Sequence, residues 1–256
     1  MTESIEYRGY DIKIDQDVDP LDPCDDFDML GIMVCWHNRY TLGHKQPKDD
    51  PNDFFIGLAT YIDYTVADRI EYWENGNGYT MILNNFIGIK NQWEHISNQI
   101  NKKIKSLVQK TIEKNYIILP LYLYDHSGIT ISTGPFNCPF DSGQIGYIYV
   151  PIKDIKKEWN WKLLTKKRRL KIESILKSEV KIYDDFLTGN VFGYNVNDPY
   201  TGDSIDSCWG FFGDYEKSGL LEMAKNAIDC HIDKVNEERS EMQLIETGDM
   251  SEVMMG

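Results

Sequence analysis

The sequence predicts an α+β fold, a mixed or antiparallel sheet with helices packed mainly on one side. Three observations carry this. Residues 116–124 (YIILPLYLY) and 144–150 (QIGYIYV) are almost continuously apolar or aromatic, as buried strands are, and no helical pattern lies between them to make a crossover. Trp93, Ile96, Ile100, Ile104, Val108 and Ile112 recur at spacings of three and four, which is one face of a helix of about six turns. Residues 191–196 and 204–212 flank Asn197-Asp198-Pro199-Tyr200-Thr201-Gly202, a hairpin with a long turn.

The remaining elements follow in order. Tyr10, Ile12 and Ile14 alternate with Asp11 and Lys13, so 7–14 reads as a first strand. Residues 15–28 are acidic, carry Pro20 and Pro23, and read as an ordered loop. A second strand is expected over 30–40, and Asp53 is placed to cap a helix running to about Val66. Glu74-Asn75-Gly76-Asn77-Gly78 is the strongest turn signal in the chain. Residues 164–186 read as a basic helix with Leu164, Ile172, Ile175, Leu176 and Val180 inward and Gly189 ending it. Leu220, Leu221, Ala224, Ile228, Ile232 and Val235 define a final helix. The expected organisation is one domain over 1–236, followed by an acidic tail over 237–256 that frays or is disordered.

The 256 residues carry 27 bases and 41 acids, a net charge of −14, with 41% hydrophobic residues. That length buries a core without disulfides or metal staples. The charge argues against direct nucleic-acid binding, since nucleic-acid domains carry a basic excess. No run approaches a membrane span, and the N-terminal residues lack a basic-then-apolar secretory pattern, so a cytoplasmic location and no membrane partner are expected. Five irregularly spaced cysteines, with no CxxC, fit reduced thiols rather than a zinc site; no metal or cofactor is expected. The charge is unevenly spread. Residues 1–28 hold ten acids against two bases, 153–185 hold eleven bases against six acids, and 200–256 hold thirteen acids against four bases. Such acidic ends suit a basic partner surface, where carboxylates stand in for phosphates. Asp15, Asp17, Asp19, Asp22, Asp25 and Asp26 are the candidate contacts in the first segment.

Residues 125–143 (DHSGITISTGPFNCPFDSG) join the two best strands and form an uncommonly long loop for a compact domain. Cys138 is a candidate thiolate nucleophile with His126 as its base and Asp125 or Asp141 orienting the imidazole. Alternatively, Asp125 and Asp141 hold a divalent cation with Ser or Thr oxygens. Ser127, Ser132, Thr133, Ser142 and Gln144 are candidate binding residues, and His37 and Arg39 are candidates to converge on the same pocket. The competing structural reading is that these short polar residues and glycines satisfy the backbone of a loop packed on a sheet. No P-loop, GxSxG or HExxH is present.

Four segments carry a resemblance: LGIMVCWHNRYTLG (30–43), LPLYLYDHSGITISTGPFNCPFDSGQIGYIYV (119–150), YDDFLTGNVFGY (183–194) and DSCWGFF (206–212). In this order they are similar to a family of uncharacterised proteins found mainly in tailed bacteriophages, prophages and mobile elements of bacteria. The resemblance implies an accessory protein made in the host bacterial cytosol. Its expected partner is a host protein, such as a nucleic-acid-binding defence protein, met as an anti-defence inhibitor or nucleic-acid mimic. The alternative is a hydrolase or nucleotide-processing enzyme with a site built from 125–143, His37 and Arg39.

Overall fold

The computed structural model describes residues 3–246. Its helices and antiparallel strands make an α+β protein. Where the sequence reads as one domain and one sheet, the chain divides into two compact units, Met1–Asp26 with Ile182–Gly256 and Phe27–Lys181, each with its own four-stranded sheet.

The first unit takes strands from both ends of the chain. β1 (Glu3–Tyr7) and β2 (Tyr10–Gln16) form a hairpin around Arg8 and Gly9, both at positive φ. β2 pairs antiparallel with β7 (Val191–Asn197), placing Ile12 opposite Val196, and β7 pairs with β8 (Ser204–Phe212), the expected hairpin. The sheet order is β1-β2-β7-β8. Ile12, Ile14, Tyr194 and Val196 bury one face against Leu220, Ala224 and Ile228 of α8 (Leu220–Glu246). Two expectations are corrected here. The first strand is a hairpin, and the final helix runs to Glu246 instead of fraying from Glu237; the rest of the expected tail lies outside the described residues. Residues 236–243 of that helix are exposed on every face, so no packing partner marks its end, and sequence periodicity stopped where burial stops.

The second unit's sheet has the order β3-β6-β4-β5, all antiparallel. β3 is Ile32–Cys35, shorter than the 30–40 expected, and β4 (Tyr116–Asp125) pairs with β6 (Ser142–Pro151) as the two apolar runs require. β5 (Ile129–Ser132) pairs with Tyr122–Asp125 alone, so Pro120 lies where β4 has a single neighbour and its missing donor is tolerated.

Helices α2 (Pro51–Ile62), α3 (Thr65–Glu74), α4 (Asn77–Phe86) and α5 (Gln92–Asn115) cover one face of this sheet, against Val34, Tyr116 and Tyr149. Asp50, not Asp53, caps α2. Its carboxylate accepts the N–H of Asn52 at 2.7 Å and of Asp53 at 3.2 Å, because Pro51 has no N–H and takes the first helical position. The α5 stripe is Ile96, Ile100, Ile104, Leu107, Val108 and Ile112, whereas Trp93 is largely exposed. α6 (Ile152–Glu158) follows β6, and α7 (Lys166–Leu187) buries Ile172, Leu176 and Val180. Leu176 and Ile148 of β6 both crowd Gly31, which places this stretch of α7 on the opposite face. The Glu179 carboxylate accepts the N–H of Leu30 at 2.6 Å and of Gly31 at 3.0 Å, tying α7 to the entry of β3.

Candidate functional site

The segment 125–143 is a hairpin and a following turn, not a nineteen-residue loop. Ser127 and Gly128, both at positive φ, turn β4 into β5, and the N–H of His126 donates to the carbonyl of Gly128 at 3.0 Å. The strand was missed because Ile129-Thr130-Ile131-Ser132 is short and lies among turn formers. The Asp125 N–H donates to the Asp141 carbonyl at 2.8 Å, closing the base of the structure, and Ser142 Oγ donates to the Cys138 carbonyl at 2.5 Å. Ser132 Oγ accepts the N–H of Gly134 at 3.1 Å, and Gln144 Nε2 donates to the Gly146 carbonyl at 3.4 Å. Thr133 is half-buried and Ser127 exposed. Phe136 packs on Tyr124, with ring centroids 5.7 Å apart. Phe140 is 95% exposed, because Pro139-Phe140 forms the tip of the turn.

The side chains meet in two groups. Asp125 forms an ion pair with Arg39 and accepts the Tyr40 hydroxyl at 3.4 Å. Asp141 Oδ2 lies 3.5 Å from His126 Nδ1 and accepts the Cys138 thiol at 3.4 Å. Arg39 therefore does reach the segment. His37 turns to its own backbone instead: Nδ1 accepts the N–H of Tyr40 at 3.1 Å and of Arg39 at 3.3 Å, and the ring stacks on Tyr40.

The order of the second group matters chemically. Thiol activation needs the imidazole against the sulfur and the carboxylate behind the imidazole. Here the carboxylate sits between sulfur and imidazole, and a carboxylate is a poorer base for a thiol than an imidazole is. The Cys35 thiol is fully buried, which pushes it up to about 12 and keeps it protonated. Among the described residues, no group of three or more His, Cys, Asp or Glu side chains could hold a metal ion. The arrangement organises a polar, hydrogen-bonded turn with an exposed phenyl ring at its tip.

Two stability measurements distinguish its members. Asp125→Ala should cost about 1–2 kcal/mol in urea denaturation, since its side chain is only 21% exposed and two partners lose their acceptor. Asp141→Ala should cost under about 1 kcal/mol, because it and His126 are solvated and exposed pairs contribute little. Equal losses would contradict this assignment.

In the first unit the acidic segment is ordered, and its aspartates have different duties. Asp22 caps a short helix, α1 (Pro23–Asp26): its Oδ1 accepts the N–H of Cys24 at 2.8 Å, while Asp26 Oδ2 reaches back to the Asp22 N–H at 3.0 Å. Asp17 Oδ1 accepts the N–H of Asp19 at 3.2 Å, and the Asp17 N–H donates to the Val191 carbonyl at 2.8 Å. Asp15 belongs to β2 rather than to a loop. Asp19, Asp25 and Asp26 are exposed, and in the same segment Val18 and Leu21 are 95% and 61% exposed.

One surface escaped sequence reasoning. A cleft of about 690 Å³ in the second unit is lined by Tyr61, Ile62, Lys114, Asn115, Ile152, Lys153 and Lys156. The basic excess of 153–185 was visible, but the convergence of α2, α5 and α6 on it was not. No protein-family model matches the chain, and no curated protein or solved structure matches it either.

Proposed function

We propose that the protein is an acidic accessory protein, encoded by a phage or mobile element, that docks on a basic surface of a host protein. One observation carries this reading: the charge is segregated by unit. Met1–Asp26 with Ile182–Gly256 holds six bases against 25 acids, a net of −19, whereas Phe27–Lys181 holds 21 bases against 16 acids, a net of +5. On the acidic unit, one short segment exposes Val18 and Leu21 together with Asp19, Asp25 and Asp26, a combination suited to a basic surface with apolar pockets. A host protein whose groove normally holds phosphates is the partner class, and inhibition of a defence protein by occupying that groove is the biological role. On α8, Asp233, Glu237 and Glu241 recur every four residues on an exposed face, which adds to the negative field.

The test is kinetic. A partner recovered from host lysate is immobilised, and association is timed at about 50 mM and about 300 mM salt. The quadruple variant D15N/D17N/D19N/D25N is compared with wild type; Asp22 and Asp26 are kept because they hold α1. Association should slow at least about tenfold with salt and again with the substitutions, while Tm stays unchanged. A rate insensitive to both removes the electrostatic reading.

A further inference from the structure

We infer that the basic cleft of the Phe27–Lys181 unit binds single-stranded nucleic acid. The whole-chain charge of −14 averages over two units of opposite sign, and only the local field matters at distances of a Debye length, about 8–10 Å. Between Lys153 and Lys171 nine bases stand against two acids. Lys114, Lys153 and Lys156 line the cleft from the α5 and α6 sides. Carboxylates close to these lysines in the chain or in space include Asp63, whose carboxyl is held below its ordinary range chiefly by Thr65 and to a lesser degree by Arg69 and Lys114, Glu113 beside Lys114 on α5, and Asp154 and Glu158 on α6.

The band continues beyond the cleft. The Trp161 N–H donates to the Lys156 carbonyl at 2.9 Å, Trp161 stacks with Trp159, and the Arg168 guanidinium lies 4.6 Å from the Trp161 ring. Arg169 Nη2 donates to the Glu113 carbonyl at 3.3 Å, next to Lys114, which brings the start of α7 to the same edge.

The occupant follows from the aromatic ring among the lysines. Tyr61 is 79% exposed, and Lys153 Nζ lies 5.8 Å from its centroid. One face of the ring carries the Lys153 ammonium and most of the side chain is in solvent, an arrangement that suits an unpaired base stacked on tyrosine with its phosphates on the neighbouring lysines. A duplex hides its base faces, and a membrane offers no flat ring to stack. The cleft belongs to the other unit from the acidic segment, so this inference and the proposed docking rest on different residues.

Fluorescence anisotropy of a labelled oligothymidylate of about 20 nucleotides is the measurement, on the full chain at about 50 mM salt. Wild type should bind with a Kd on the order of 10⁻⁵–10⁻⁶ M. K114Q/K153Q/K156Q should weaken binding at least about tenfold and reduce the slope of log K against log salt by about 2, since each single-strand phosphate contact contributes about 0.7. Tyr61→Ala should weaken binding several-fold and Tyr61→Phe should not, which separates stacking from charge. K90Q, an exposed lysine away from the cleft, and D15N/D17N/D19N/D25N should not weaken it; the second keeps this test separate from that of host-protein docking. Circular dichroism establishes that each variant is folded. Equal affinity of the triple variant and wild type overturns the inference. So do preference for a duplex of the same length and binding to anionic phosphatidylserine vesicles without binding to the oligonucleotide.

Discussion

Gly146→Ala should destabilise the protein by about 3–5 kcal/mol, a fall in Tm on the order of 10 °C by calorimetry. Gly146 lies in β6 opposite both Cys35 of β3 and Leu121 of β4, so strands flank it on either side. A Cβ there would fall far inside van der Waals contact of the Val34 carbonyl oxygen and 3.0 Å from Cys35 Cα. Both obstacles are backbone, so no rotamer relieves them, and β3 must move away from its hydrogen-bonded neighbour. The cost therefore lies at or above the upper end of ordinary overpacking. Gly57 supplies the control. It lies inside α2, is exposed, and has nothing within 4 Å of a built Cβ, so Gly57→Ala should raise stability by about 0.5–1 kcal/mol. If both alanines behave alike, the close approach at Gly146 is not the determinant.

Glu179→Ala should cost about 2–4 kcal/mol, because the N–H groups of Leu30 and Gly31 both lose their acceptor. Glu179→Gln retains one acceptor oxygen and should recover about half. The pH dependence has a definite sign. Burial raises the Glu179 carboxyl, and the two N–H bonds offset this only in part. A folded value above the unfolded one means that the native state favours the protonated acid. The resulting stabilisation is full below the unfolded value, about 4.3, and is lost as pH rises through the folded value. The stability of wild type minus that of Glu179→Gln should therefore shrink as pH rises above about 4 in urea titrations. A difference that grows would mean that the hydrogen bonds outweigh burial.

Long elements with one clear period were legible in the sequence. The stripe from Ile96 to Ile112 and the paired runs 116–124 and 144–150 each bury a continuous face, and burial writes periodicity into sequence. Short elements were not. The β1–β2 turn uses Arg8 at positive φ, a position where asparagine or glycine is the usual signal. β5 has four residues among glycines and prolines. In the candidate site, Asp125 and Arg39 were both singled out, and the structure joins them. The order Cys138–Asp141–His126 was not accessible, because triads depend on three-dimensional placement and neighbours in sequence can face any way. The basic cleft was hidden for another reason: its lysines and Tyr61 come from segments about 40–90 residues apart, and whole-chain charge cancels the signal.

The pairing of β2 with β7 has a consequence for synthesis on the ribosome. About 175 residues separate Gln16 from Val191, and at roughly 5–20 residues per second they take about 10–35 s to translate. All of Phe27–Lys181 emerges before β7 exists, so that unit can close on itself while the β1–β2 hairpin waits with one edge unpaired. An unpaired strand edge is a template for the nascent chain on the next ribosome. Glu3, Glu6, Asp11 and Asp15 lie on this hairpin, and Arg8 and Lys13 are its only bases. Like charges repel when two such edges meet, so the acidity of the hairpin keeps the unfinished sheet from pairing with a copy of itself.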